Sequence, residues 1–185
     1  IHPTCAYFGF SVALSESFIV IGSPSEKRNG TAYVFHTQDD WDSTILSHCI
    51  DGDNRFGFSV NISGNNLVVG SPGENGVPGK ACIYDMSAFY DANIGFVPAS
   101  HSRDATYCET IRTKSKSSKA LFGRAVAIHD EYVIISGFGK TEETFVGSAF
   151  VYRCRNSKEN DEIEPIACLR DRDAKELFGH NVAIN

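Results

Sequence analysis

The sequence has few of the patterns that mark an enzyme, a metal protein or a membrane protein. No apolar run in its 185 residues approaches the roughly 20 residues that a membrane-spanning helix needs. It contains no Cys-x-x-Cys pair of the kind that binds zinc, no Gly-x-Ser-x-Gly and no His-Glu-x-x-His. These absences lead us to expect a non-catalytic chain with no metal, no cofactor and no direct membrane insertion.

Positive charge is also scarce. The chain carries 17 Lys and Arg against 23 Asp and Glu, which gives a net charge of −6 and a pI near 5.5. An acidic balance disfavours nucleic acid and anionic membrane surfaces as partners, because both would repel it. We therefore expect no nucleic acid among its partners.

One segment recurs along the chain. A Phe-Gly pair, a short apolar stretch, a turn and a second apolar stretch ending in Gly-Ser-Pro occupy residues 8–24 and again 56–72. A third copy at 122–137 has Ser136-Gly137 in place of Gly-Ser, and a fourth begins at Phe178. Recurrence on this scale is typical of solenoids, propellers and other arrays.

Each copy predicts four antiparallel strands. β-branched and aromatic residues favour strands, and the glycine of each Phe-Gly pair suggests a positive φ or a backbone too crowded for a Cβ. A four-stranded sheet cannot bury both faces alone, whereas several packed face to face around an axis can. The sequence therefore predicts an all-β fold, a β-propeller fragment of four-stranded antiparallel blades. The predicted strands are 8–14, 18–21, 30–35 and 44–50 in the first copy, 56–62, 67–72, 79–84 and 106–112 in the second, and 122–128, 132–137, 147–152 and 163–169 in the third.

The repeated pattern of Phe-Gly, strand, Val-x-Gly-Ser-Pro and Gly-x-Ala-Tyr-Val-Phe resembles the FG-GAP repeat. That repeat forms the blades of the integrin α-subunit head and occurs in many bacterial and protist surface proteins. The resemblance implies about three blades and part of a fourth within one propeller domain, as part of a longer protein. The expected divisions are the end of a preceding blade at 1–7, blades at 8–55, 56–121 and 122–177, and the first strand of the next blade at 178–185.

Many blades of this family bind calcium in a loop between their first and second strands. Such a loop needs several oxygen ligands over about a dozen residues. The corresponding turns here, 15–17, 63–66 and 129–131, are too short. The chain therefore resembles the calcium-free variant of the repeat.

Six cysteines suggest an oxidising compartment. Because third and fourth strands are neighbours in a blade, we predict the disulfides Cys82–Cys108 and Cys154–Cys168. Cys5 and Cys49 could pair with each other across a blade boundary or with cysteines elsewhere. Buried thiols that pack as small hydrophobes are the alternative.

Two further features bear on the surface. The sequons at Asn29 and Asn61 are candidate N-glycosylation sites and agree with a secreted or cell-surface chain. Residues 85–105 form an insertion in the second repeat, and its aromatic residues Phe89, Tyr90 and Phe96 are candidates for partner binding. The alternative is that they pack on their own blade as a covering flap.

The resemblance implies an extracellular or cell-surface module that recognises a protein or glycan ligand through the loops of one propeller face. Two other functions stay open. The first is a structural subunit that self-associates into an extracellular filament or appendage. The second is an accessory propeller of a hydrolase whose catalytic domain lies outside this chain.

Overall fold

The computed structural model describes residues 7–25, 29–37, 44–73, 76–91, 95–96, 108–112, 121–140, 145–154, 164–170 and 178–185. These residues form three four-stranded antiparallel sheets and one two-stranded sheet. Each four-stranded sheet follows chain order across its width, from the first strand at one edge to the fourth strand at the other. The all-β fold of four-stranded blades predicted from the sequence is confirmed.

The first sheet, or blade 1, contains β1 (Ser11–Leu14), β2 (Phe18–Ser23), β3 (Thr31–Thr37) and β4 (Thr44–Asp51). Blade 2 contains β5 (Ser59–Ser63), β6 (Asn66–Ser71), β7 (Lys80–Asp85) and β10 (Cys108–Arg112). Between β7 and β10 lie a 3₁₀ helix (Met86–Phe89) and a separate two-stranded sheet of β8 (Tyr90–Asp91) and β9 (Gly95–Phe96). Blade 3 contains β11 (Val126–His129), β12 (Tyr132–Lys140), β13 (Phe145–Arg153) and β14 (Ala167–Leu169).

The first strand of each blade was predicted too long at its start. The Phe-Gly pair lies in a turn that precedes the strand, so β1 begins at Ser11 rather than Phe8. The turn is closed by the Phe10 N–H, which donates to the Tyr7 carbonyl at 3.1 Å. The reason is the glycine, since all four Phe-Gly glycines have φ between +78° and +87°, a region that side chains with a Cβ avoid.

The core lies between the blades. One cluster of buried apolar side chains joins blade 1 to blade 2, and a second joins blade 2 to blade 3. β6 contributes to both, because Leu67 and Val69 face the first cluster and Val68 faces the second. All three are fully buried, which explains why the sequence of β6 is apolar without alternation.

Glycine also allows the blades to approach closely at each boundary, which we call a seam. A Cβ on Gly30 would collide with the main chain of Phe56, and a Cβ on Gly79 with that of Phe122. The same contact recurs between Gly147 and Phe178 in the fourth copy. The glycine that recurs just before the third strand in blades 1 and 2, and near its start in blade 3, is therefore a packing requirement of the seam.

The third copy lacks the serine that the first strand carries in the other two blades, and a serine on the facing strand takes its place. In blades 1 and 2 a serine of the first strand, Ser11 or Ser59, donates across the seam to the carbonyl of the next Phe-Gly glycine at 2.9 and 3.0 Å. Blade 3 has Ala125 at that position, and the hydroxyl moves to the facing strand, where Ser136 Oγ accepts from the Ala125 N–H at 2.9 Å. The serine hydroxyl therefore forms a hydrogen bond within blade 3 instead of across a seam.

The fourth copy keeps its turn. Gly179 has φ +78°, like its counterparts. Residues 181–185 are not assigned to a strand.

Candidate binding surface

The blades present two rims. Since neighbouring strands are antiparallel, the turns between first and second strands lie at one end of each sheet and the Phe-Gly turns lie at the other. We call these the hairpin rim and the Phe-Gly rim. The side chains that could bind a partner differ between the two rims.

On the Phe-Gly rim, the residue after each Phe-Gly pair forms one row that crosses all the blades. These residues, here called the Phe-Gly row, are Phe10, Phe58, Arg124 and His180. The rings of Phe10 and Phe58 lie 4.7 Å apart between centroids. The Arg124 guanidinium lies 5.4 Å from the Phe58 ring centroid, and its Nη2 lies 2.8 Å from His180 Nε2. Equivalent positions in successive blades therefore touch one another without a gap.

A second guanidinium joins the row. Arg55 lies 4.8 Å from the centroid of Phe58, so this ring contacts two cations. Attraction between a guanidinium and an aromatic face is worth about 0.5–2 kcal/mol. These ring contacts hold both guanidiniums in place, and of their hydrogen-bond donors Arg124 uses Nη2 on His180 Nε2 at 2.8 Å.

The main chain around Arg55 is also held in an unusual conformation. Asn54 and Arg55 both have positive φ, +55° and +66°. The buried Ser71 hydroxyl donates to the carbonyls of Asp53 at 2.6 Å and Asn54 at 2.9 Å. Strained backbone fixed by buried hydrogen bonds is often found at functional sites. The loop is thus pre-organised to present Arg55.

The row is exposed and lacks counter-charge. Phe10 is 46 % exposed, Phe58, Arg55 and Arg124 are half-buried, and His180 is exposed. In the described part of the chain, neither guanidinium forms an ion pair with a carboxylate. Guanidinium N–H groups match a carboxylate in a bidentate fork, so the row suits a ligand with a carboxylate beside an apolar or sugar face.

The aromatic insertion lies elsewhere. The main chains of Tyr90 and Phe96 pair in the β8–β9 hairpin, between the third and fourth strands of blade 2 and hence toward the hairpin rim. The side chains of Phe89, Tyr90 and Phe96 lie outside those that the structure describes. Their role in partner binding stays a prediction.

The predicted disulfides assumed a strand register that needs correction. Cys82 lies opposite Thr110, and Cys108 opposite Tyr84. The pair Cys82–Cys108 is therefore offset by two residues, or about 7 Å along a strand, rather than facing.

Blade 3 shows the same difficulty. Cys168 lies opposite Phe150, and Cys154 lies beyond the end of β13, four positions further on. Neither bridge is shown, and both stay predictions that the register does not favour. Cys49 lies opposite Tyr33, and Cys5 falls outside the described residues.

The two sequons are in different environments. Asn29 is exposed in the connection between β2 and β3. Asn61 is half-buried in β5, and its Oδ1 accepts from the Ile128 N–H at 3.2 Å across the seam between blades 2 and 3. A glycan on Asn61 would occupy this seam.

If the chain passes through a secretory pathway, we therefore expect a glycan at Asn29 and not at Asn61. Expression in a eukaryotic secretory host followed by enzymatic deglycosylation would show one mobility shift. The shift should vanish in Asn29→Gln and persist in Asn61→Gln. A shift that survives in Asn29→Gln and is lost in Asn61→Gln would contradict the assignment.

The described residues contain no group of three or more His, Cys, Asp and Glu side chains arranged to hold a metal ion. No described helix is long and apolar enough to cross a membrane. Beside the turn between β11 and β12, His129 Nε2 lies 3.6 Å from the exposed Asp130 carboxylate. Both side chains are exposed to solvent, and they form a surface pair.

The sequence analysis missed the Phe-Gly row. The signal was present, because the residue after each Phe-Gly pair can be read from the aligned copies as Phe, Phe, Arg and His. Its meaning depends on how close successive turns come in space, which spacing along the chain does not reveal.

Comparison with known proteins identifies part of this architecture. Residues 4–35 match the family model described as FG-GAP repeat, so the segment that contains β1, β2 and most of β3 is an FG-GAP repeat, the unit of β-propeller-like modules. No curated protein matches the chain. The later copies have the same strand order and the same positive-φ glycines.

Proposed function

We propose that this chain is a non-catalytic recognition module at the cell surface or outside the cell, and that its Phe-Gly row binds a carboxylate-bearing protein or glycan. The observation that supports this most directly is the pair of guanidiniums on Phe58 with no carboxylate partner among the described residues. In a chain of net charge −6, a local cationic group leaves its donors available to an incoming anion.

The aromatic members of the row support the same proposal. Phe10 and Tyr7 pack edge to face at 6.3 Å and are 46 % and 65 % exposed. Aromatic residues and arginine are enriched where proteins bind partners, because they bury a large area and lose little rotamer freedom. The row thus combines an apolar platform with two charged donors.

Self-association is the second candidate function, and one observation favours it. Val12 and Leu14 on β1 are 66 % and 60 % exposed, while the equivalent residues of β5, Val60 and Ile62, are each 7 % exposed against blade 1. The open face of blade 1 therefore has the side chains of a blade contact. A concentration-dependent rise in mass in sedimentation experiments, lost in Val12→Asp, would support this role.

The carboxylate proposal is tested by binding of two probes, a synthetic Asp-Gly repeat peptide and tetragalacturonate. We expect at least one to bind, and Arg124→Ala to weaken it about tenfold or more, since a charge-assisted hydrogen bond contributes about 1.5–3 kcal/mol. Arg153→Ala is the matched control, because Arg153 pairs with Glu131 at 2.7 Å in the hairpin on the other rim. Binding of neither probe, or equal weakening by both substitutions, would contradict the proposal.

A further inference from the structure

The two seams differ at the hairpin rim. Between blades 2 and 3, three side chains of blade 2 reach the hairpin of blade 3. Asn61 Oδ1 accepts from the Ile128 N–H at 3.2 Å, Ser63 Oγ accepts from the Asp130 N–H at 3.1 Å, and Asn66 Nδ2 lies 3.5 Å from the Asp130 carbonyl oxygen. This polar ladder closes the seam.

Blade 1 has Ala13, Ser15 and Phe18 at the three positions that form this ladder in blade 2. The Ala13 methyl cannot accept a hydrogen bond, and Phe18 is buried in the core at 3 % exposure. A groove of about 380 Å³ lies between the two hairpin tips, lined in part by Leu14, Ser15, Ile62 and Gly64. The Ser15 Oγ is buried and has no hydrogen-bond partner among the residues that the structure describes.

The groove also contains main-chain donors. Ile62 and Gly64 correspond to Ile128 and Asp130 of blade 3, and the match extends to backbone conformation, since Gly64 has φ +54° and Asp130 has φ +50°. Alternate residues of an edge strand turn their N–H groups away from the ladder. The Ile62 N–H is the counterpart of the Ile128 N–H that Asn61 occupies in the other seam.

Both walls of the groove are held in place. The Thr37 N–H and hydroxyl donate to the Ser17 and Glu16 carbonyls, at 2.9 and 3.3 Å. The Met86 N–H donates to the Asn65 carbonyl at 2.7 Å. A pre-organised groove loses little entropy when a ligand enters.

We propose that this groove binds the acetamido group of an N-acetylated hexosamine. The seam between blades 2 and 3 already shows an amide oxygen on the equivalent N–H. In the groove the acetamido carbonyl accepts from the Ile62 N–H, its N–H donates to Ser15 Oγ, and its methyl packs on Ile62. A primary amide fits less well, because it has a second N–H in place of the methyl.

The proposal does not depend on the carboxylate site, which lies on the opposite rim. It is tested by titrating the full chain with N,N′-diacetylchitobiose and with cellobiose, which has the same linkage but hydroxyls in place of the acetamido groups. Calorimetry or ligand-observed NMR should detect diacetylchitobiose and not cellobiose. Glutaminamide, which carries primary amides and no acetamido methyl, is the third probe and tests whether the groove prefers a primary amide.

The decisive variant is Ala13→Asn, which gives blade 1 the residue that closes the other seam. It should raise the Kd for diacetylchitobiose at least tenfold and leave the melting temperature unchanged or higher. Val12→Asn, on the opposite, exposed face of β1, is the matched control and should retain binding, as should Arg124→Ala. Equal binding of the two disaccharides, binding of neither, preference for glutaminamide, or retention of affinity in Ala13→Asn would each overturn the proposal.

Discussion

Replacing Phe122 by alanine is expected to destabilise the chain by about 3–5 kcal/mol, while Phe8→Ala should cost less than about 1 kcal/mol. The two phenylalanines start equivalent repeats, so the chemical change is the same. They differ in burial, because Phe122 is 1 % exposed and Phe8 is 45 % exposed. At Phe122 the substitution would leave a cavity inside the core, and this adds to the lost burial of the ring.

The surroundings of Phe122 explain the size of this effect. Its ring packs edge to face on Tyr152 at 6.3 Å and 88°, and Phe56 packs on Tyr84 with the same distance and angle in the seam before it. Tyr152 is itself only 3 % exposed, and this burial raises the pKa of its hydroxyl to about 12. Phe56→Ala should therefore behave like Phe122→Ala.

The measurement is urea denaturation of the three variants, monitored by far-ultraviolet circular dichroism, which reports the loss of strand structure. The midpoint should fall sharply for Phe56→Ala and Phe122→Ala at an unchanged m value. Equal losses at Phe8 and Phe122 would show that the repeats do not pack on one another as described.

Most of the fold could be predicted from sequence because its determinants are local and repeated. The second apolar stretch of each copy predicted a strand, and in the second copy it forms most of β6, where Leu67, Val68 and Val69 are fully buried. The Phe-Gly glycine predicted either a positive φ or a backbone too crowded for a Cβ, and all four copies show the positive φ. Each of these signals acts within a few residues of its position, so no knowledge of blade packing was needed.

The candidate sites could not be predicted in the same way, because they depend on contacts between blades. Arg124 and Phe58 are adjacent only because successive Phe-Gly turns stack. The groove arises where blade 1 has Ala13 and Phe18 in place of Asn61 and Asn66 of blade 2. The importance of these differences appears only when the Asn61 and Asn66 side chains are seen to cross the other seam. The register around Cys82 and Cys108 could not be predicted for a related reason, since it depends on how β7 aligns with a strand that follows a long insertion.

The last expected result separates backbone strain from blade packing. Gly123→Ala should destabilise the chain by about 4 kcal/mol, whereas Gly9→Ala should cost only about 1 kcal/mol. The two glycines have the same φ, +87°, so an alanine at either position pays the same cost of about 1–2 kcal/mol for a left-handed conformation. Part of this cost is offset by the reduced entropy of the unfolded chain.

The neighbours account for the remaining difference. A Cβ on Gly9 would have nothing within 4 Å, but one on Gly123 would collide with the Lys80 carbonyl oxygen and lie 3.1 Å from the Ser71 nitrogen. Both obstacles are main chain of blade 2 and cannot rotate away, so the seam must open. Thermal and urea unfolding of the two variants would measure the difference directly. Equal destabilisation of the two variants would mean that glycine is needed only for the positive φ of the turn. It would contradict a role of Gly123 in the close approach of the blades.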